Sequence, residues 1–182
     1  LEAHRKKIES EILRIAEPFS AVLDLLYTLP GLDKNPMTAI AILAEIGPDM
    51  SVFPSSKHLV SWAGCCPRND QSNQKVKSRR ISRAGSYLKP LLVQIANALI
   101  KSKRHPEFKE RYHRIKSRRG HKKAIIAVCK MLLTAIWNML SKLEPYNPEG
   151  FLEHRPVKQG KTLTVSQALE LLRLRGYTIT NQ

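Results

Sequence analysis

The segment KKAIIAVCKMLLTAIWNMLSKL, residues 122–143, constrains the fold more than any other part of the chain. Its apolar residues do not keep to one stripe but cover most sides of a helix. Such a helix persists in water only when other elements surround it. It therefore predicts a mainly α domain with this helix near the centre. A chain of 182 residues is long enough for one such domain with small appendages.

The helices expected around it come from period and punctuation. Residues 2–16 carry Ile8, Ile12 and Ile15 at helical spacing between charged positions, and Pro18 breaks or bends the chain after them. Residues 19–28 carry Phe19, Val22, Leu23 and Leu26 on one side. A charged helix with a narrow apolar stripe pairs with a second helix, so residues 1–28 read as a coiled-coil-like arm. In LLYTLPGLDKNPMTAIAILAEIG, residues 25–47, a helix ends at Leu29-Pro30-Gly31 and a second apolar helix runs to Gly47. This is the layout of a helix-hairpin-helix-like unit, whose backbone N–H groups can hold a phosphate. A second glycine is missing from the turn, where Asp33-Lys34-Asn35-Pro36 stands, and a plain helical corner fits equally well.

Further on, SSKHLVSWAG is a short helix with Leu59, Val60 and Trp62 expected in the core. Residues 64–85 show no helical period, and Val76 and Ile81 are their only large aliphatics, so a loop or irregular hairpin is expected. The next helix starts between Ser86 and Pro90 and runs to about Ser102; another spans Glu107 to about Ser117. EPYNPEG closes the domain at about residue 150. The tail, 151–182, reads as separate: Thr164-Val165-Ser166-Gln167 fits a capping box, a helix runs through Leu172, and YTIT can form a short strand.

Charge then narrows the function. The net charge is +16, and residues 67–130 hold 19 Lys and Arg against 3 acids, so the whole excess lies in one third of the chain. Such a block repels itself, and a polyanion is the natural compensation. Nucleic acid is the first candidate partner, with a solvated basic face as the bland alternative. A membrane surface fits less well, because no strong apolar face stands opposite the arginines. No run is expected to be long and apolar enough to span a membrane, and no signal peptide opens the chain, so an intracellular, soluble protein is expected. Cys65, Cys66 and Cys129 suggest a reducing compartment, and no Cys/His pair has zinc-finger spacing. His105, His113 and His121 stand eight apart, which is no metal spacing, and read as surface or loop residues.

Two basic clusters stand out. Arg68, Lys75, Lys77, Arg79, Arg80 and Arg83 surround Ser72 in sequence, and arginine's planar, permanently charged fork suits a phosphate. Lys116-Ser117-Arg118-Arg119-Gly120-His121-Lys122-Lys123 has no interleaved aromatics, so Arg118, Arg119, Lys122 and Lys123 suit backbone contact rather than base reading. A serine hydroxyl is a poor nucleophile without a base, a metal or strong stabilisation of the charged phosphorane. Asp70 is the nearest acid to Ser72 and reads as a turn residue; Ser82 and Ser86 read as capping residues.

Three segments together resemble a known family: LPG with the helix AIAILAEIG, then WAGCCPRNDQSNQK with SRRISRAGSYLKPLL, then RRGHKKAIIAVCKMLL. Over residues 19–150 the chain resembles the C-terminal transposase domain of the bacterial insertion-sequence transposases described as bridge-RNA-guided recombinases. The resemblance implies a transposase domain over 29–150 and a DNA recombinase that acts on two DNA strands with a guide RNA in the bacterial cytoplasm. It implies a homo-oligomer formed through the N-terminal helical arm. It also implies a serine nucleophile that works with acids and Mg2+ in an RNase-H-like domain absent from this chain, so the chain alone needs no cofactor and is expected to be inactive. The family's Ser-Gly-Gly-Lys loop aligns with Ser72-Asn73-Gln74-Lys75, which makes Ser72 the candidate catalytic residue and departs from the pattern at both glycines. The competing reading is a non-catalytic module that grips DNA or RNA by backbone charge.

Overall fold

The apolar helix is the hub. In a computed structural model of the chain, α7 (His121–Lys142) packs against four other helices. The structure describes residues 1–67, 70–72, 75–78, 86–149 and 164–174; for 70–72, 75–78 and part of the last helix it describes the backbone alone. The described helices are α1 (Glu2–Ala16), α2 (Ser20–Tyr27), α3 (Pro36–Ile46), α4 (Ser56–Trp62), α5 (Leu88–Leu99), α6 (Pro106–Arg119), α7 and α8 (Val165–Leu174). Two strands, β1 (Asp70–Ser72) and β2 (Lys75–Ser78), complete a mainly α architecture. Leu1–Pro148 forms one unit; Glu149–Gln182 forms a second, which contains α8.

Buried residues on α7 include Ala124, Ile125, Val128, Cys129, Leu132, Leu133, Ile136 and Leu140. They fall at positions i, i+1, i+4 and i+5, which gives a band too wide for one partner. α2, α4, α5, α6 and a 3-10 turn at Met50–Val52 share that band. By length and composition α7 could cross a membrane. This corrects the expectation that no run reaches spanning length. Its buried band shows the alternative use of the same composition, a core helix enclosed by its neighbours.

The α2–α3 corner is built by local signals. Asn35 caps α3 by accepting the Met37 N–H at 3.0 Å, Pro36 takes the first helical position, and Gly47 ends the helix at φ +74°. Leu29 and Leu32 within the turn are fully buried. Gly31, at φ +90°, lies against α5: a Cβ there would meet Ile95 Cγ2 at 2.7 Å and Leu99 at 3.5 Å. Gly31→Ala therefore combines an unfavourable backbone with overpacking. It is expected to cost roughly 2–4 kcal/mol, read as a lower urea midpoint at unchanged slope.

α2 belongs to this core, since Leu23 and Leu26 are buried and the helix contacts α3 and α7. α1 stands outside it. Ile15 is 62% exposed, and Phe19, on the 3-10 turn Glu17–Phe19 made by Pro18, is 41% exposed. Trp62, expected in the core with Leu59 and Val60, is 48% exposed. It is the last residue of α4, beyond the buried pair, and its ring rests on Phe53 at 5.6 Å. Ser86, expected to cap, does not do so. The residue that precedes α5 is Tyr87, and no side chain caps that helix. α8 begins directly after Thr164, whose hydroxyl lies 3.2 Å from that of Ser166. YTIT lies outside the described residues.

Candidate nucleic-acid interface

Phe108, Tyr112 and Ile115 recur at four and three along α6 and form its inward stripe against α7. The rest of the helix is left to polar residues: Lys109, Arg111, Arg114, Lys116, Arg118 and Arg119 are all exposed. Residues 101–130 expose 12 Lys and Arg in all. Of the two acids in that span, Glu107 is buried and accepts the Tyr146 hydroxyl at 3.1 Å. Its carboxylate serves the interior of the fold rather than the surface charge.

α6 and α7 meet at one residue. Gly120 adopts φ +80° and ψ 170°, a conformation that L side chains rarely hold, and nothing blocks a Cβ there; the requirement is conformational. Its N–H closes α6 on Lys116 O at 3.0 Å, and its carbonyl accepts the Ala124 N–H of α7 at 3.2 Å. The Tyr112 hydroxyl bonds His121 Nδ1 at 2.7 Å across the corner, and Lys116 Nζ lies 5.5 Å from the centroid of the same tyrosine ring. The corner is thus pinned by side chains as well as by backbone.

Electrostatics make it an anion-seeking place. Lys116, Arg118 and Arg119 in the last turn of α6 offset the partial negative charge of that helix end. Lys122 and Lys123 in the first turn of α7 sit against the partial positive charge of a helix start, with no acid in that turn. Arg118, Arg119, Lys122 and Lys123 make no ion pair among the described residues. Burial, and then the neighbouring Arg114, lower the pKa of Arg111, a direct sign of crowded positive charge. A bound polyanion relieves each of these repulsions.

The sequence-predicted cluster Arg118, Arg119, Lys122 and Lys123 is therefore brought together at one corner, helical on both sides of Gly120 rather than loop-like. The other cluster centres on the β-ribbon. Its strands pair antiparallel, Asp70 with Ser78, Gln71 with Val76, and Ser72 with Lys75, and the register skips Lys77. The expected irregular hairpin is borne out. Asp70, expected in a turn, instead opens β1 because it pairs with Ser78. Ser72 ends β1 directly across from Lys75, with two residues between them in the chain. Arg68, Arg79, Arg80, Arg83 and Ser82 lie outside the described residues.

Sequence reasoning left Lys109, Arg111 and Arg114 out of the candidate set. The available signal was the six cations of α6, which only a helix with a single buried stripe displays outward. Conversely, Lys89 lies within the basic block but plays a structural part. Its amine donates to the Gly64 carbonyl at 3.1 Å and ties α5 to the end of α4. Cys65 and Cys129 are free and buried; burial pushes both thiols up, Cys129 to about 12, which makes them packing residues rather than nucleophiles. His105 lies 3.8 Å from Glu107, whereas His113 and His121 are exposed beside Tyr112. Among the described residues no three His, Cys, Asp or Glu side chains are placed to share a metal ion. In the α2–α3 turn, Asp33 Oδ1 accepts the Gly31 N–H at 3.1 Å, so that donor of the corner is already used.

These features define a class: a mainly helical, strongly basic domain with a short β-ribbon set in its basic segment. Within that class the chain belongs to the transposase IS116/IS110/IS902 family, whose model matches residues 23–113. The chain is 31% identical over 125 residues to the pilin gene-inverting protein of Moraxella bovis, covering 68% of this chain and 38% of that protein. It is 29% identical over 122 residues to the transposase for insertion sequence element IS1111A of Coxiella burnetii, covering 65% and 33%. It is 28% identical over 140 residues to the insertion element IS110 uncharacterized 43.6 kDa protein of Streptomyces coelicolor, covering 75% and 33%. The chain thus spans little more than a third of the length of the curated relatives it matches. No solved structure matches it significantly. The family resemblance read from the residues is borne out.

Proposed function

We propose that this chain is the part of a DNA transposase or invertase that grips nucleic acid and supplies a serine nucleophile, Ser72, for strand cleavage and exchange. Family membership carries the reading, since the relatives are named for transposition and for gene inversion, and both processes exchange DNA strands. The basic corner at Gly120 and the pairing of Ser72 with Lys75 support it. In the proposed step the Ser72 oxygen bonds to a backbone phosphorus, the bond to the leaving sugar oxygen breaks, and the hydroxyl proton leaves to a base. Neighbouring cations neutralise the phosphorane's charge, the largest single contribution available to this chain. Exchange reverses the step with a second strand. Oligomers and a guide RNA belong to the same proposal for the whole transposase, working in the bacterial cytoplasm.

The metal implied by the family is a poor fit to this chain's carboxylates. Glu107 is committed to Tyr146, and residues 67–130 offer only Asp70 and Glu110 besides. Divalent-metal phosphoryl transfer needs carboxylates placed together. The 182-residue chain is therefore expected to bind DNA without nicking it, in magnesium as in EDTA. The measurement is supercoiled-plasmid relaxation by nuclease-free protein. Robust magnesium-dependent nicking defeats this expectation, and salt-independent binding favours neither catalysis nor a backbone grip.

A further inference from the structure

Two aromatic side chains are left out of the core at the two roots of the basic ribbon. Tyr87, immediately before α5, is 76% exposed, and Trp62, at the end of α4, is 48% exposed with one side on Phe53. Among the described residues, neither the Tyr87 hydroxyl nor the Trp62 indole N–H has a hydrogen-bond partner. The 3.1 Å bond from Lys89 to the Gly64 carbonyl ties their neighbourhoods together, each aromatic standing two residues before one end of that bond. Between them in sequence, residues 63–86 hold six Lys and Arg against the single acid Asp70. Exposed rings beside a concentrated cationic segment are the two components of single-strand binding: charge holds the backbone while any base stacks on an aromatic face.

We infer that Tyr87 and Trp62 stack unpaired bases of a single DNA strand whose phosphates are held by the basic segment between them. This rests on the strand-exchange reading above, because an exchanging duplex must present unpaired nucleotides. It adds a base-contacting element to a surface whose charges alone recognise only backbone.

The test compares binding of the 182-residue chain to a single DNA strand of about ten nucleotides, an abasic strand of equal length and charge, and an RNA strand of the same sequence. The base-bearing DNA is expected to bind roughly tenfold more tightly than the abasic strand for each stacked base, and to keep that margin as salt rises. Tyr87→Ala and Trp62→Ala each remove part of the margin, Tyr87→Phe keeps it, and abasic binding is unchanged in all three. The Tyr87 side chain has no hydrogen bond or ring contact among the described residues, so Tyr87→Ala stays informative even where Trp62→Ala loosens the packing on Phe53. Equal affinity for base-bearing and abasic DNA overturns the inference and leaves the nucleic-acid reading standing. So does a margin that survives both alanine changes, or one seen with RNA only. No binding to any of the strands overturns the nucleic-acid reading itself.

Discussion

Ser72→Ala in the whole transposase is expected to abolish strand transfer while DNA affinity changes by no more than the ~0.5–1.5 kcal/mol of one neutral hydrogen bond. The substitution removes a hydroxyl and no charge, so the electrostatic grip survives. Losing the nucleophile removes the covalent path altogether. Ser72 sits at the end of β1, and alanine at that position breaks no backbone pairing with Lys75. The assay traps a protein–DNA adduct on labelled substrate and digests it to find the attached peptide. An adduct on Ser78, Ser82 or Ser86, or wild-type recombination by the alanine variant, disproves the assignment of Ser72.

Replacing Arg118, Arg119, Lys122 and Lys123 together with alanine is expected to act in the opposite way, on binding first. All four are exposed, and alanine favours the helices they occupy, so the fold is retained. For duplex DNA each lost phosphate contact removes about 0.9 from the slope of log affinity against log salt, roughly 3–4 for the set. Between about 50 and about 200 mM salt the parent then loses about a hundredfold more affinity than the variant. Salt titrations of both proteins on the same duplex measure this directly. An unchanged slope means that the α6–α7 corner does not touch phosphates, and it moves the grip to the ribbon.

Much of this organisation was legible without coordinates because it rests on local rules. Pro18, Asn35-Pro36, Pro106 and Gly120 punctuate the helices where a missing N–H, a capping carboxamide or a positive φ permits only one choice. The all-round apolar pattern of residues 121–142 demanded a central position. The charge block needed only counting. Helix ends were less legible, because α6 continues through Arg119 and its last turn is held by the bond from Gly120 to Lys116, not by any residue preference.

Tertiary packing decided the rest. Whether Trp62 is core or surface depends on how far α7's buried band reaches along α4, a distance no short window of sequence contains. Gly31 looks like a turn glycine, yet its deeper requirement is the approach of Ile95 and Leu99, more than sixty residues away. A basic block in sequence does not distinguish Lys89, which clamps Gly64, from Arg111 and Arg114, which face solvent on α6. Composition and period are properties of neighbours along the chain. Which charge is used inside the fold and which is offered to a partner is settled by neighbours in space.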